Sequence, residues 1–353
     1  MNPKHIRLLL PALLAVLSVT LVAQSQPTSA NPSATQTAPP ATPGSEFKEA
    51  YRLAKQGKYD DAVALLQSMA ASTPKPAGLS HAMGMVYYTK GDFLKSAEYF
   101  KQAITEDSND KEAVQLLGLS YYRAGRPNEA IPYLEQVQTW YPQANVDASY
   151  VLGTAYIQAK DYPNARKSFA KMFGLPPDSA ASYLLTARML FRQEFTPIAE
   201  EYAQKAITED PKLPLAHQLL GEIHLFTSKI PDAVKDLEQE VAINPANPTA
   251  YYKLADAYSR IQKYDDAERL LQRSIWLDAT STGPYVLLGK VMQKKGEPVL
   301  AIGYLQRAAT MDPNNPMTHQ LLGQALRDVG KTSDAERELK IAEQLRNKQT
   351  DFQ

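Results

Sequence analysis

From residue 43 onward, apolar, small and polar residues recur with a stride of 34. The stretch HQLLGEIHLF at 217–226 is echoed three strides later by HQLLGQALRD at 319–328, and more loosely by VQLLGLSYYR at 114–123. With position 1 set at residues 43, 77, 111, 146, 180, 214, 248, 282 and 316, position 8 is always small: Ala50, Gly84, Gly118, Gly153, Ala187, Gly221, Ala255, Gly289 and Gly323. Position 20 is small as well, holding Ala62, Ser96, Ala130, Ala165, Ala199, Ala233, Ala267, Ala301 and Ala335. One slip in phase falls near Ala144. Apolar residues at positions 4, 7, 8 and 11, such as Tyr251, Leu254, Ala255 and Tyr258, share one helical face. A second helical face follows at 20, 24 and 27, as in Ala130, Leu134 and Val137.

Punctuation between these faces predicts a hairpin. Gly91, Gly125 and Gly296 close first helices, and Pro127, Pro163, Pro197, Pro231 and Pro298 suit the opening turn of second ones. Pro74, Pro142, Pro177, Pro211, Pro245 and Pro313 separate one unit from the next. Small residues at 8 and 20 let the two backbones approach, and a large side chain there would overpack the contact by about 1–3 kcal/mol. A single hairpin cannot bury its own apolar faces. Stacked neighbours can, so the predicted fold is an all-α solenoid stabilised by unit and interface terms.

The pattern closely resembles the tetratricopeptide repeat family. The matching residues are the small ones at position 8, tyrosine at 11 (Tyr87, Tyr121, Tyr156, Tyr258), alanine at 20, a small or apolar residue at 27 and proline at 32. The resemblance spans nine repeats over 46–349 and implies a right-handed superhelix of helix-turn-helix units. Ser96 and Ser108 depart from it, and Pro132 falls inside a second helix, where it deletes a backbone donor and is expected to bend the helix. The last hairpin keeps Ala335, Leu339, Ala342 and Leu345 on one side and charges elsewhere, as a terminal cap should. A short tail, 350–353, follows.

The segment ahead of the repeats reads differently. Lys4 and Arg7 precede an apolar run from Leu8 to Ala23, and small residues follow at Ala23, Ser25 and Ala30. At 1.5 Å per residue the run spans roughly 24 Å, short of a bilayer core of about 30 Å, so residues 1–23 are read as a signal peptide, with an uncleaved anchor as the alternative. Residues 24–45, rich in Pro, Ser, Thr and Ala and free of charge until Glu46, read as a disordered linker. Both Asn-x-Ser/Thr matches, Asn31 and Asn247, have proline in the middle, which favours export to a bacterial periplasm or envelope.

Composition removes whole classes of chemistry. Lys plus Arg balances Asp plus Glu, 38 against 38, so no long-range field collects nucleic acid or an anionic membrane; membrane contact is expected only through the N-terminal segment. There is no cysteine, hence no disulfide or thiolate site. His217 and His224 look like a metal pair, but seven residues separate their Cα atoms by about 10.5 Å along a helix. Glu222 points away from both, and His217, His224 and His319 take repeat positions that pack. Asp60 with Asp61 and Asp265 with Asp266 sit at helix starts, where they suit the dipole. No cofactor, metal or catalytic residue is expected, and the protein is read as a non-enzyme.

By the resemblance, positions 2, 5, 9, 12 and 13 of first helices line a concave groove. That carries over to Phe47 and Tyr51; His81, Met85 and Tyr88; Leu119, Tyr122 and Arg123; Tyr150; Arg188, Phe191 and Arg192; Leu225 and Phe226; Tyr252 and Arg260; then Lys290, Lys294 and Arg327. Aromatics and arginines dominate recognition surfaces, so the expected function is a protein-interaction scaffold binding peptide or protein segments. The plainer account packs some of these aromatics between repeats. The family's carboxylate clamp is missing, because Phe47, Tyr51, His81 and Met85 replace its lysines and asparagines, and Arg188 with Arg192 lack asparagine partners. The alternative function is a glycan-handling or enzyme-accessory solenoid in polysaccharide export or assembly, since aromatic grooves also stack sugars.

Overall fold

A computed structural model describes residues 47–140 and 146–351, and shows eighteen helices and no strand among them. They pair into nine hairpins. The first five are α1 (Lys48–Lys55) with α2 (Tyr59–Ala70), α3 (Leu79–Lys90) with α4 (Phe93–Glu106), α5 (Lys111–Arg123) with α6 (Pro127–Trp140), α7 (Val146–Gln158) with α8 (Tyr162–Met172), and α9 (Ala180–Arg192) with α10 (Thr196–Glu209). The remaining four are α11 (Ala216–Phe226) with α12 (Ile230–Ile243), α13 (Pro248–Arg260) with α14 (Tyr264–Leu277), α15 (Thr282–Lys295) with α16 (Pro298–Met311), and α17 (Pro316–Asp328) with α18 (Thr332–Asp351). The signal-peptide and linker segments, 1–23 and 24–45, lie outside the described residues, as do Pro142 and the phase slip near Ala144.

Every hairpin closes on the same turn. The N–H of position 16 donates to the carbonyl of position 11 at 2.8–3.0 Å, from Lys58 to Leu53 in the first repeat through Lys331 to Leu326 in the last. This six-to-one bond forces position 15 into the left-handed region. Glycine holds that position at Gly57, Gly91, Gly125, Gly296 and Gly330, whereas Lys160, Glu194, Ser228 and Gln262 hold it at φ of 60 to 66°. The glycines expected to close first helices account for only three of these nine turns. A non-glycine residue there costs on the order of 1 kcal/mol. Gln262→Gly is therefore expected to stabilise the protein by about 0.5–1 kcal/mol net of the added unfolded-state freedom, and Gly296→Gln to cost about as much. Urea midpoints measure both, and a loss of stability in the first would contradict the assignment of strain.

Packing is sequential throughout. Each helix touches the next, and first helices of successive hairpins also touch at both ends of the array: α1 touches α3, and α9 touches α11, α11 touches α13, α13 touches α15 and α15 touches α17. No pair of second helices makes a comparable contact, so the array closes up on the first-helix side and splays on the other. Where position 8 is glycine it faces a large residue at position 24: Gly84 faces Phe100, Gly153 faces Phe169, Gly118 faces Leu134, Gly221 faces Leu237, Gly289 faces Leu305 and Gly323 faces Leu339. A Cβ on Gly153 would stand 2.5 Å from the Phe169 ring.

The departures find local reasons. The Ser96 hydroxyl, buried where alanine is usual, donates to the Gly84 carbonyl at 3.0 Å and meets the Ser120 hydroxyl at 3.0 Å, so its polarity is satisfied. Pro132 lies on the exposed side of α6, which continues unbroken from Pro127 to Trp140. Position 27 is small or apolar as expected except in repeat six, where it holds the buried Glu240. The last helix reaches Asp351, two residues into the stretch expected to be a tail.

Candidate protein-binding surface

The first-helix side holds the predicted groove residues, and it divides them into two kinds. Met85, Tyr88, Leu119, Tyr122, Tyr150 and Phe191 are half-buried and packed against the main core, as Tyr51 and Tyr252 are against cores near either end. Tyr150 leans on Phe169, ring centroids 6.3 Å apart, so its ring belongs to its own hairpin. Phe47 and Leu225 are buried outright. Exposed are Phe226, at 68%, and Arg192, Arg260, Lys290, Lys294 and Arg327. The predicted row thus mixes mortar between repeats with a smaller free surface, concentrated in α9 to α17.

Two aromatic groupings tie neighbouring repeats together on this side. Tyr88 meets Phe93 edge-on at 5.6 Å, and the Arg123 guanidinium of the next repeat lies over both rings, at 5.1 and 5.5 Å. Phe93, at the opening of a second helix, was not among the expected residues; its position lies beyond the first-helix register that the resemblance supplied. Farther along, Phe191 meets Phe226 edge-on at 5.6 Å. Arg260 bonds Asp256 at 2.8 Å within α13 and donates to the Leu225 carbonyl at 3.3 Å, which ties α13 to α11 beneath Phe226.

Near the start of the array the surface is acidic. His81 Nδ1 sits 2.7 Å from Asp110 Oδ2, and Glu112 approaches Nε2 at 3.8 Å. Burial pushes the Tyr51 phenol up, helped by the charges of Glu112 and Asp110, to about 12. For His81 burial acts downward, but the hydrogen bond and charge of Asp110, with Glu112 behind it, outweigh that and hold the imidazole above its ordinary 6.5. A raised folded value means stability fully present below pH 6.5 and lost as pH rises through the folded value. The gap in melting temperature between wild type and His81→Gln is therefore expected to be largest near pH 5.5 and to shrink by pH 8.5. A gap independent of pH would show that the pair contributes only packing.

The histidines of the 217–226 stretch pack as expected. They also share a carboxylate: His224 Nδ1 lies 2.8 Å from one Asp236 oxygen and His217 Nδ1 lies 3.6 Å from the other. His224 Nε2 reaches Glu200 at 3.4 Å, and Lys229 bonds the same Glu200 at 2.8 Å, which links repeats five and six. His319 bonds Glu338 at 2.6 Å and the Pro313 carbonyl at 3.0 Å. No group of three or more His, Asp or Glu among the described residues is arranged to hold a metal. The aspartates at helix starts do more than face a dipole, since Asp60 bonds Lys90 at 2.7 Å and Asp265 bonds Lys295 at 2.8 Å across repeat boundaries.

Nine hairpins closed by one turn type, interlocked at positions 8 and 24 and stacked in chain order, define an α-solenoid of helix-turn-helix repeats. The chain belongs to the tetratricopeptide repeat family: family models for that repeat match residues 47–111, 121–189 and 228–275, together a little over half of the sequence. Among curated relatives, it is 24% identical over 131 residues to the TPR repeat-containing protein MJ1428 of Methanocaldococcus jannaschii, covering 37% of this chain and 23% of that protein. It is 28% identical over 123 residues to the Vi polysaccharide export protein VexE of Salmonella typhi, covering 33% of this chain and 18% of the relative. The chain thus spans under a quarter of the length of either. Among solved structures, MamA aligns with a TM-score of 0.44 at 24% identity, over 47% of this chain and 96% of MamA. The APC/C hetero-tetramer Cut9-Hcn1 aligns with a TM-score of 0.44 at 18% identity, over 81% of this chain and 57% of that one. Repeats of this family generally serve protein–protein interaction, and no catalytic family is indicated.

Proposed function

We propose that this protein is a non-enzymatic scaffold of the cell envelope that holds a peptide or protein segment along the first-helix side of its solenoid. The observation that carries the reading is Phe226: a large apolar ring, 68% exposed, supported edge-on by Phe191 and flanked by exposed cations on the side where first helices line up. An aromatic anchor rimmed by arginine is the composition that carries most of the energy in recognition surfaces. Export rests on the apolar run after Lys4 and Arg7 and the uncharged stretch before the repeats. A photo-crosslinking residue placed at 226 in the full chain should capture envelope proteins that the same residue at Trp276, 72% exposed on the second helix of its hairpin, does not. Equal capture at both places, or none at either, would count against the scaffold. The mass of the mature N-terminus tests export.

A second reading has one observation in its favour, the partial similarity to a polysaccharide export protein. It makes the same surface a platform for a glycan or for an export enzyme. Retention of oligosaccharide that depends on Phe226, without any protein crosslink, would support it.

A further inference from the structure

We infer that the occupant of this surface is a protein segment with two acidic clusters separated by an apolar residue. The inference rests on the scaffold reading and adds the chemistry of the partner. Positions 9 and 13 of a first helix are one turn apart on one face. In α9 they hold Arg188 and Arg192; three repeats on, in α15, they hold Lys290 and Lys294. None of these four cations has an ion pair with a described residue, whereas Arg52, Arg126, Arg166, Arg260, Arg269 and Arg337 each have one; Arg188 is half-buried and the other three are exposed.

On the two rungs between them the carboxylates are already engaged within their own helices, Asp256 by a cation and Glu222 by a neutral amide. Asp256 is held by Arg260 of its own helix, and Glu222 accepts from Gln218 at 2.8 Å, so neither carboxylate serves the unpaired cations. Phe226 occupies position 13 of α11 and stands exposed between the two stations. The array is therefore two dicationic stations with an aromatic platform between them. With neighbouring first helices about 10 Å apart, the stations are ~30 Å apart, which an extended strand covers in ~9 residues. A segment of that length carrying Asp or Glu at both ends and an apolar residue near the middle satisfies all three features. The balanced net charge of the whole chain makes this a local attraction.

A library of random 16-residue peptides displayed on phage, with their C-termini fused so that no terminal carboxylate is offered, tests the inference on the full-length protein. Peptides enriched at low salt should carry acidic residues in two groups about nine positions apart around an apolar residue. Arg188→Gln with Arg192→Gln, and separately Lys290→Gln with Lys294→Gln, should each weaken a selected peptide about tenfold and release the acidic requirement at opposite ends of it. Three of the four side chains are exposed and none is buried, and unchanged helical circular dichroism verifies the fold. Enrichment of neutral or basic peptides that depends on Phe226 would overturn the acidic assignment while leaving the scaffold standing. No enrichment, together with no crosslink from position 226, would remove both. Retention of polygalacturonate through the four cations, with no peptide enriched, would overturn it in favour of an acidic glycan.

Discussion

Glu240→Ala is expected to cost about 3 kcal/mol and to loosen α11 before the rest of the array. The carboxylate is fully buried, and every contact it makes is with a donor: the Leu215 N–H at 3.0 Å from both oxygens, the Gln218 N–H at 3.3 Å and the Asn247 side-chain amide at 3.3 Å. It does the work of an N-cap from another helix. The residue before α11, Leu215, is in the left-handed region at φ 70° and offers no side-chain acceptor, so the first turn of α11 takes its acceptor from α12. Alanine would leave those donors facing an apolar space, with only the exposed Leu215 able to recover water. Hydrogen bonds to such a group contribute about 1.5–3 kcal/mol each, and partial rehydration brings the total loss near 3. Glutamine, which keeps the volume but turns an NH₂ group toward donors, should fall between. Because repeat arrays sum local terms, the loss should be local. Hydrogen exchange should quicken in α11 to α13 and stay unchanged in α3 to α6. A uniform loss of protection, or a cost below about 0.5 kcal/mol in urea, would contradict the capping role.

Glu240 also shows what the sequence alone could not disclose. The stride of 34 made the hairpin, its small residues and its sequential stacking legible, because each rests on contacts between residues of fixed separation within one repeat. Capping from α12 to α11 runs backwards across 22 to 25 residues and uses a position that elsewhere holds Ala103, Val137 or Ala206, so a pattern of residue types marks it only as an exception. The turns were half legible for the same kind of reason. Glycine announces a left-handed residue, whereas Lys160, Glu194, Ser228 and Gln262 adopt it because the bond from position 16 to position 11 leaves no other closure. For the binding surface the register located the right helices, but exposure decides which side chains are free. Tyr122 and Tyr150 share a repeat face with Phe226 and differ in what leans against them, namely Thr154 and Phe169 respectively, and that is a property of neighbours.

The interlock at positions 8 and 24 supplies the other large effect. Phe169→Ala is expected to cost about 4 kcal/mol, because the ring is fully buried and the backbones on either side are fixed by their own helices. Gly153→Ala in the native background should also destabilise. A methyl 2.5 Å from one ring carbon and 2.7 Å from the next cannot be accommodated by a ring with no exposed edge, and overpacking of about 1–3 kcal/mol exceeds the gain of about 1 kcal/mol from replacing a mid-helix glycine. Placed on Phe169→Ala, the same Gly153→Ala substitution should reverse its sign and recover about 1 kcal/mol, since the methyl then enters the space the ring left. The double variant recreates the residues that repeat five carries at positions 8 and 24, Ala187 and Ala203, both fully buried. Gly303, in the middle of α16 with nothing within 4 Å of the place a methyl would take, isolates the propensity term, and Gly303→Ala should stabilise by about 1 kcal/mol. Urea unfolding of the four proteins in the cycle measures the coupling. If Gly153→Ala changed stability by the same amount with and without the Phe169 ring, the helices would not be held apart by that pair, and the recurrence of small residues at position 8 would need another cause.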